Sequence, residues 1–206
     1  MSDEKKIILF GGSFDPVHKG HIEILKYVHD HICADKSIII PTRRSPLKKH
    51  GPVATNSQRL EMLDLATKDN PDIEISDVEF DMPEPSFSYH TVCYFKSLYG
   101  DDVELYWLSG ADVISDLHHW YKINDMLALC KMILVCRGGY PLPDTSPLKE
   151  HFSPIIVEML QKNMIQTPEI EISSTEIRSM LKNKIKPDDS LNEKVYAYIL
   201  ENNLYI

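Results

Sequence analysis

The chain has 206 residues, and 22 Lys and Arg against 31 Asp and Glu give a formal net charge of −9. Hydrophobic residues make up 43% and charged residues 26%, a globular mixture that excludes intrinsic disorder as the default. The acidic balance argues against broad binding to nucleic acid, but it leaves room for a local basic pocket that binds a small anion.

The sequence predicts neither a membrane protein nor a secreted one. The longest apolar runs, 126–130 and 132–136, are far shorter than the roughly 20 residues of a membrane span. The opening MSDEKK lacks the apolar region of a signal peptide. The 4 cysteines form no CxxC pair. We therefore expect buried, reduced thiols in a soluble, cytoplasmic protein.

Short apolar runs alternate with segments of helical periodicity along the whole chain. We predict strands at 7–10, 37–40, 72–80, 103–108, 131–136 and 169–172. We predict helices at 21–33, 57–67, 88–99, 111–117, 122–129, 148–162, 173–181 and 191–202. Ser173 precedes Glu176 by three residues, and Ser190 precedes Glu193 by three. This spacing is typical of a capping box, so Ser173 and Ser190 are predicted to start the last two helices.

This alternation predicts an α/β fold, a single domain over 1–206 with a Rossmann-like, doubly wound parallel sheet. The strands are too apolar for burial on one side only, which indicates helices on both faces. Ligands of such sheets bind beyond the carboxyl ends of the strands. We therefore expect the functional residues in the loops that follow strands.

The first predicted strand runs into GGSFDPVHKGH, residues 11–21. Gly11 and Gly12 permit a tight turn and a close approach to a ligand. His18 and His21 stand three apart at the start of a helix, so both can face one side. Because a helix N-terminus attracts anions, the segment predicts a phosphate site. A turn with two solvated histidines is the alternative.

A second segment, ISSTEIR at 172–178, offers similar chemistry. Its hydroxyls and helix-start amides suit phosphate oxygens, and Arg178 adds a fixed charge that can bind two oxygens. An ordinary capped helix is the alternative for this segment alone.

Together the two segments resemble the motifs of the HxGH nucleotidyltransferase superfamily, with residues 18–21 as the HxGH sequence. Three further segments resemble bacterial nicotinate-nucleotide adenylyltransferases: SGAD at 109–112 followed by Leu117 and Trp120, PSFSYHT at 85–91, and a strand that ends in Arg137. Three positions depart from that family: Ser88 stands where Thr is usual, His90 where Asp is usual, and Gly138 where Pro is usual.

The resemblance implies adenylyl transfer from ATP to nicotinate mononucleotide, which yields nicotinate adenine dinucleotide and pyrophosphate in NAD biosynthesis. It implies that the catalytic residues are His18, His21 and Arg178. The implied ATP-binding residues are Gly11, Gly12, Ser13, Phe14, His18, Gly20, His21, Gly110, Asp112, Ser173, Ser174, Thr175 and Arg178. The implied substrate-binding residues are Lys48, Phe87, Ser88, Thr91, Trp120 and Arg137. Mg²⁺ is expected to arrive with ATP.

No metal site formed by the protein is expected. His29, His31 and Cys33 have alternate spacing, which does not bring side chains to one face of a helix. No nucleic-acid or membrane partner is predicted, and the oligomeric state is left open.

Several alternatives remain at this point. The acceptor could be nicotinamide mononucleotide or another phosphate, or the chain could be a non-catalytic nucleotide-sensing module. Trp120 is either a stacking platform for a pyridine ring or a core residue. Lys48 belongs either to a solvated loop or to an electrostatic funnel. His118 and His119 suit an exposed surface better than catalysis.

A preference for nicotinate over nicotinamide is expected from residues 86–91. They start a helix, whose free N–H groups favour an anion such as the nicotinate carboxylate. Ser88 is predicted to cap this helix or to add a donor. No Arg or Lys lies between Pro83 and Tyr94, so the preference is expected to depend on backbone amides.

Overall fold

Strands and helices alternate throughout the computed structural model, which describes residues 5–136, 138–139, 142–169, 172–187 and 189–206. The strands are β1 (Lys5–Gly12), β2 (Lys36–Pro41), β3 (Ile73–Ile75), β4 (Val103–Gly110), β5 (Lys131–Cys136) and β6 (Met164–Gln166). The α-helices are α1 (Lys19–Ile32), α2 (Asn56–Thr67), α3 (Val78–Asp81), α4 (Ser88–Tyr99), α5 (Ile123–Leu129), α6 (Ser146–His151), α7 (Pro154–Lys162), α8 (Ser174–Lys182) and α9 (Glu193–Glu201). Two 3₁₀ helices, Ala111–Ser115 and Leu117–His119, follow β4.

Within the described residues, the six strands form one parallel sheet in the order β3-β2-β1-β4-β5-β6. The chain moves outward from β1 to β3 and then returns to start the other half at β4. The doubly wound α/β fold predicted from the sequence is therefore confirmed. In this topology the ligand crevice lies at the carboxyl ends of β1 and β4, where the strand order reverses.

The sheet has a core on each face. Ile7 and Leu9 of β1 pack into one hydrophobic cluster, whereas Ile8, with no exposed surface, packs into the other. Successive strand side chains point to opposite faces, so burial on both sides requires an unbroken apolar run. This requirement explains the apolar strands of the sequence. Among the described residues, no helix is long and apolar enough to cross a membrane.

Two predicted strands are corrected. The strand predicted at 72–80 is limited to β3, because the apolar alternation slips after Ile75 and the chain turns into the short helix α3. The strand predicted at 169–172 is also wrong in its described part, since residues 169 and 172 lie in no strand, and residues 170 and 171 lie outside the described residues. The sixth strand is β6, which pairs with β5 and lies between the helix predicted at 148–162 and the strand predicted at 169–172, where no element was predicted.

Of the two predicted helix caps, one is confirmed and the other is wrong. Ser173 caps α8, and its hydroxyl accepts from the Glu176 amide, as predicted. Ser190 does not cap α9, because Asn192 does so by accepting from the Lys194 amide at 2.8 Å. The carbonyl of Ser190 instead accepts from the Lys19 amide, which ties this segment to the start of α1.

The carboxyl end of β1 packs directly against β4, which generates a prediction for stability. A Cβ atom added at Gly11 would lie 2.7 Å from Cη2 of the buried Trp107. We expect Gly11→Ala to lower the free energy of unfolding by about 1–3 kcal/mol, the usual cost of overpacking. Gly51→Ala is the control, because its added Cβ meets nothing within 4 Å. Urea unfolding of both variants checks this, and equal stabilities would contradict the packing argument.

Candidate active site

The turn between β1 and α1 is fixed by backbone and side-chain contacts from distant parts of the chain. Arg59 of α2 has no exposed surface and donates to the carbonyls of Ser13 (2.9 Å) and Thr42 (2.8 Å). It thereby joins the loop after β1 to the loop after β2. Phe14 adopts a left-handed backbone with φ of 45° and is buried, so its ring packs edge-on against His21 rather than facing solvent.

His18 and His21 form a reciprocal capping pair at the start of α1. Nδ1 of His18 accepts from the His21 amide at 3.3 Å, and Nδ1 of His21 accepts from the His18 amide at 3.2 Å. The rings are stacked with centroids 3.6 Å apart. Because each Nδ1 accepts, the proton of the neutral ring lies on Nε2 in both residues. The pair thus holds two N–H donors in a fixed orientation.

The same surroundings keep both imidazoles neutral. Burial lowers the pKa of His18 from 6.5 to about 4. Burial also lowers the pKa of His21 well below its usual value, and the charges of His18 and Lys48 lower it further. At neutral pH the two rings are therefore hydrogen-bond donors rather than cations. Gly20, between them in sequence, is buried within α1.

The second motif lies directly against the first. Ser174 donates from its hydroxyl to the carbonyl of Pro16 at 3.0 Å. Arg178 donates from Nη1 to the carbonyl of Asp15 at 2.6 Å and from Nη2 to the hydroxyl of Thr175 at 3.2 Å. These contacts hold the guanidinium beside the histidine pair, although the two motifs are about 160 residues apart in sequence.

A basic cavity of about 410 Å³ lies between the two motifs. Lys48 reaches it from the loop after β2 and donates to the hydroxyl of Ser13 at 3.0 Å. Desolvation lowers the pKa of Lys48, and the nearby charge of Arg178 lowers it further. Of the predicted residues, Ser13, Phe14, His21, Lys48, Ser174, Thr175 and Arg178 line this basic cavity.

A larger cavity of about 500 Å³ adjoins the basic one, and Ser13 and Lys48 line both. One side of this larger cavity is aromatic, with the rings of Phe87 and Tyr121 stacked at 4.5 Å. Trp120 lines it as well and also packs against the core, so its role as a stacking platform stays a prediction. Of the other predicted residues, Gly11, Gly12, Phe87, Ser88, Gly110 and Asp112 line this larger cavity.

Two predicted roles are not supported by the geometry. Thr91 has no exposed surface and donates to Oε1 of Glu79 at 2.6 Å, so it lies behind the cavity wall instead of facing a substrate. Ser88 does not cap α4, because the cap position is Phe87 and no side chain caps that helix. Ser88 nevertheless lines the larger cavity as the first helical residue. Arg137 lies outside the described residues.

The structure also adds residues that sequence reasoning missed. Glu79, only 2% exposed, lines the larger cavity, and burial raises the pKa of its carboxyl. Lys122 adopts a left-handed backbone with φ of 50°, and its Nζ lies 5.0 Å from the ring centre of Tyr89. Tyr121 and Lys122 directly follow Trp120, so extending the quoted segment by two residues was the available signal.

The other histidines do not form a metal centre. The rings of His118 and His151 are stacked with centroids 3.7 Å apart, beside His119. His29 faces a different partner, since its Nδ1 lies 2.9 Å from the hydroxyl of Ser37. Within the part of the chain that the structure describes, no group of three His, Cys, Asp or Glu side chains could hold a metal ion.

Comparison with known proteins identifies the class. The cytidylyltransferase-like family matches residues 9–180, a span that contains both motifs and the sheet between them. The chain is therefore a nucleotidyltransferase of that family.

Curated relatives identify the family within this class of nucleotidyltransferases. The chain is 36% identical to the probable nicotinate-nucleotide adenylyltransferase of Methylacidiphilum infernorum, over 98% of this chain and 92% of the relative. It is 34% identical to the nicotinate-nucleotide adenylyltransferase of Bacillus subtilis, over 98% of both chains. The chain belongs to the nicotinate-nucleotide adenylyltransferase family.

A solved structure agrees with this fold. Nicotinic acid mononucleotide adenylyltransferase of Plasmodium falciparum, complexed with NaAD, superposes with a TM-score of 0.75. The two sequences are 21% identical, and the match covers 98% of this chain and 97% of the other. At this identity the likeness supports the fold alone.

The depressed pKa of His18 predicts how stability changes with pH. The folded residue takes up its proton near pH 4, whereas the unfolded one does so near 6.5. The unfolded state therefore binds more protons between these values, and stability falls as the pH is lowered through this window. His18→Asn removes the titration and keeps a good helix cap.

We expect the wild type to lose about 2 kcal/mol more than His18→Asn between pH 7 and pH 5. Urea unfolding at both pH values measures this difference. The contribution of the carboxylates cancels, because they titrate in both proteins. Parallel losses in the two proteins would show that His18 is not held neutral in the fold.

Proposed function

We propose that this chain transfers the adenylyl group of ATP to nicotinate mononucleotide and releases pyrophosphate. The observation that carries the proposal is the pair of adjoining cavities, one basic and one aromatic, that share Ser13 and Lys48. A dinucleotide product has a charged phosphate centre and two flat rings, which suits this arrangement. The names of the relatives support the same reaction.

The chemistry requires no protein nucleophile. A phosphate oxygen of the mononucleotide attacks the α-phosphorus of ATP, a new P–O bond forms, and the bond to the β-phosphate oxygen breaks as pyrophosphate leaves. Catalysis then consists of positioning and charge stabilisation. In the proposal, His18 and His21 donate from Nε2 to the oxygens where charge develops, and Arg178 and Lys48 hold the β- and γ-phosphates.

The helix start of α8 adds to the triphosphate site. Ser174 and Thr175, the first two residues of α8, line the basic cavity, and a helix start favours anions. Gly110 and Asp112, on the larger cavity, are proposed to contact the nucleotide, with Asp112 accepting from a ribose hydroxyl.

Magnesium is proposed to arrive on the phosphate oxygens of ATP, where it would neutralise charge. The nearest buried carboxylate, Asp15, already accepts from two backbone amides and from Tyr205. The residues that line the basic cavity therefore suit a metal held through ATP and water, with few direct protein ligands.

The aromatic cavity is proposed to hold the pyridine ring, with Trp120, Phe87 and Tyr121 as stacking surfaces. Of the first amides of α4, that of His90 donates to the carbonyl of Phe87 at 2.9 Å. The amides of Ser88 and Tyr89, which precede it, are proposed to be available to an anion. Lys122 brings a cation to the same end, since its Nζ lies over the rings of Tyr89 and Tyr121. Both features favour nicotinate, which carries a carboxylate, over nicotinamide.

The direct test is pyrophosphate release from ATP with a panel of acceptors: nicotinate mononucleotide, nicotinamide mononucleotide, phosphopantetheine and an alcohol phosphate. We expect the first to be the best acceptor and magnesium to be required. Release with none of them would favour a nucleotide-sensing module, and a clear preference for another acceptor would reassign the reaction.

His21→Ala is expected to lower kcat by about 10²–10³, the usual effect of removing one fixed donor to developing charge. The measurement is steady-state pyrophosphate release, with the melting temperature as a check that the variant folds. Turnover within threefold of wild type in the folded variant would remove His21 from the mechanism.

The acid is expected to exceed the amide in kcat/KM by roughly tenfold to a thousandfold, from the helix field and from desolvation of the amide group against N–H donors. Lys122→Met should reduce that ratio about twofold to fivefold, because an exposed charge contributes little more than this. Lys162→Met, at the end of α7, removes a surface cation elsewhere and should leave the ratio unchanged. A wild-type ratio near one would sink the proposed role of α4 and Lys122.

A further inference from the structure

The end of the chain reaches back to the turn of the first motif. Tyr205, which follows α9, donates from its hydroxyl to Oδ1 of Asp15 at 2.7 Å, across 190 residues of sequence. Its backbone is left-handed, with φ of 63°, a conformation that a tyrosine rarely adopts. The bond to Asp15 holds the side chain in place, together with packing against the hydrophobic cluster that contains Ile8.

Asp15 is itself a buried junction, with 5% of its surface exposed. Its carboxylate accepts from the amides of Val53 (2.7 Å) and Ala54 (3.0 Å), and its carbonyl accepts from Arg178. We call Asp15 with these partners and Tyr205 the Asp15 junction. It joins the turn after β1, the loop before α2, α8 and the segment after α9.

The Asp15 junction lies on the basic cavity. Asp15, Val53 and Arg178 line that cavity together with Lys48, which belongs to the same loop as Val53. The two amides therefore set where the loop runs, and the loop sets where Lys48 meets Ser13. Burial raises the pKa of Tyr205, and Asp15 raises it further, so the phenol remains a donor at every working pH.

We propose that Tyr205 is a positioning residue of the ATP site, which acts through Asp15 to fix the loop that carries Lys48 and the guanidinium of Arg178. The identity of the ligand as ATP rests on the proposed function. Tyr205 itself does not line either cavity of the site, and its effect is confined to the phosphate end, because the aromatic cavity is built from α4 and the segment after β4.

The test compares Tyr205→Phe with Tyr198→Phe, which removes a phenol hydroxyl from α9 without touching Asp15. The dissociation constant of ATP, measured by calorimetry without an acceptor, should rise about tenfold in Tyr205→Phe, as expected for one lost hydrogen bond to a charged group. The KM for nicotinate mononucleotide should stay within twofold. A purely structural role of Tyr205 would lower the stability and would either change the ATP dissociation constant and the KM for nicotinate mononucleotide equally or change neither.

Coupling to Asp15 is tested by a double-mutant cycle. If Tyr205 acts through Asp15, the effects of Tyr205→Phe and Asp15→Asn on ATP affinity must be far from additive. Additive effects, an unchanged ATP dissociation constant in Tyr205→Phe, or an equal effect in Tyr198→Phe would overturn the proposal.

Hydrogen exchange gives a readout that needs no turnover, and its first comparison uses the wild type alone. In the wild type, ATP should slow exchange at the amides of Val53 and Ala54, and in Tyr205→Phe these two amides should exchange faster. No effect of ATP on these amides would also overturn the proposal. If ATP binds and no acceptor releases pyrophosphate, the proposed function fails while the Asp15 junction is still judged by affinity and exchange.

Discussion

The complete burial of one guanidinium, that of Arg59, is the constraint on which the architecture of the site depends. Removing one partner of a buried charge leaves the other uncompensated, which typically costs about 3–5 kcal/mol. The buried charge of Arg59 has partners: it donates to the carbonyls of Ser13 and Thr42 and to the side chain of Asn56. Its guanidinium also lies over the ring of Phe80. The nearby carboxylates of Asp15 and Glu79 favour its charged form. The loops after β1 and β2 are thereby fixed where the two cavities meet.

On this rigid base the site separates two kinds of donor. Lys48 and Arg178 are cations that suit the full charges of a triphosphate, whereas His18 and His21 are held neutral by burial. A neutral N–H donor costs less to bury than a cation, and its orientation is fixed in advance by the capping pair. The reciprocal bonds at Nδ1 start α1 and leave the proton of each neutral ring on Nε2. His21 lines the basic cavity, whereas His18 lines a separate cavity beside α1.

The sequence predicted best what is local along the chain. The turn at Gly11, the histidine pair and the cap at Ser173 depend on residues a few positions apart, so their spacing was sufficient. Thr91 was misplaced because its spacing cannot show which side of α4 faces the core, and Glu79 was missed because α3 interrupts an expected strand. The contact between Tyr205 and Asp15 spans 190 residues of sequence, which no spacing rule detects. Ser88 and Ser190 show the same limit, since a hydroxyl near a helix start caps it only if the backbone is suitably placed.

The strand β6 illustrates a different reason for failure. Its three residues continue the apolar pattern of α7, and pairing with Leu134, Val135 and Cys136 of β5 decides their conformation. Tertiary pairing overrides local preference here, as is common for short edge strands. The family resemblance compensated for such errors, because it depends on motifs in the turns after strands and at the starts of helices, and not on the short strand at the sheet edge.

A chain with a net charge of −9 that binds a polyanion requires an electrostatic explanation. At physiological ionic strength the Debye length is about 8 Å, so exposed charges further away are largely screened. The basic cavity is lined by Lys48, Lys49 and Arg178, and the carboxylate of Asp15 within it already accepts three hydrogen bonds. A triphosphate that enters the basic cavity therefore meets a locally positive potential. The acidic residues elsewhere on the surface are too far away to weaken this attraction much. The local charge of a cavity, rather than the net charge of the whole chain, decides whether it binds a nucleotide.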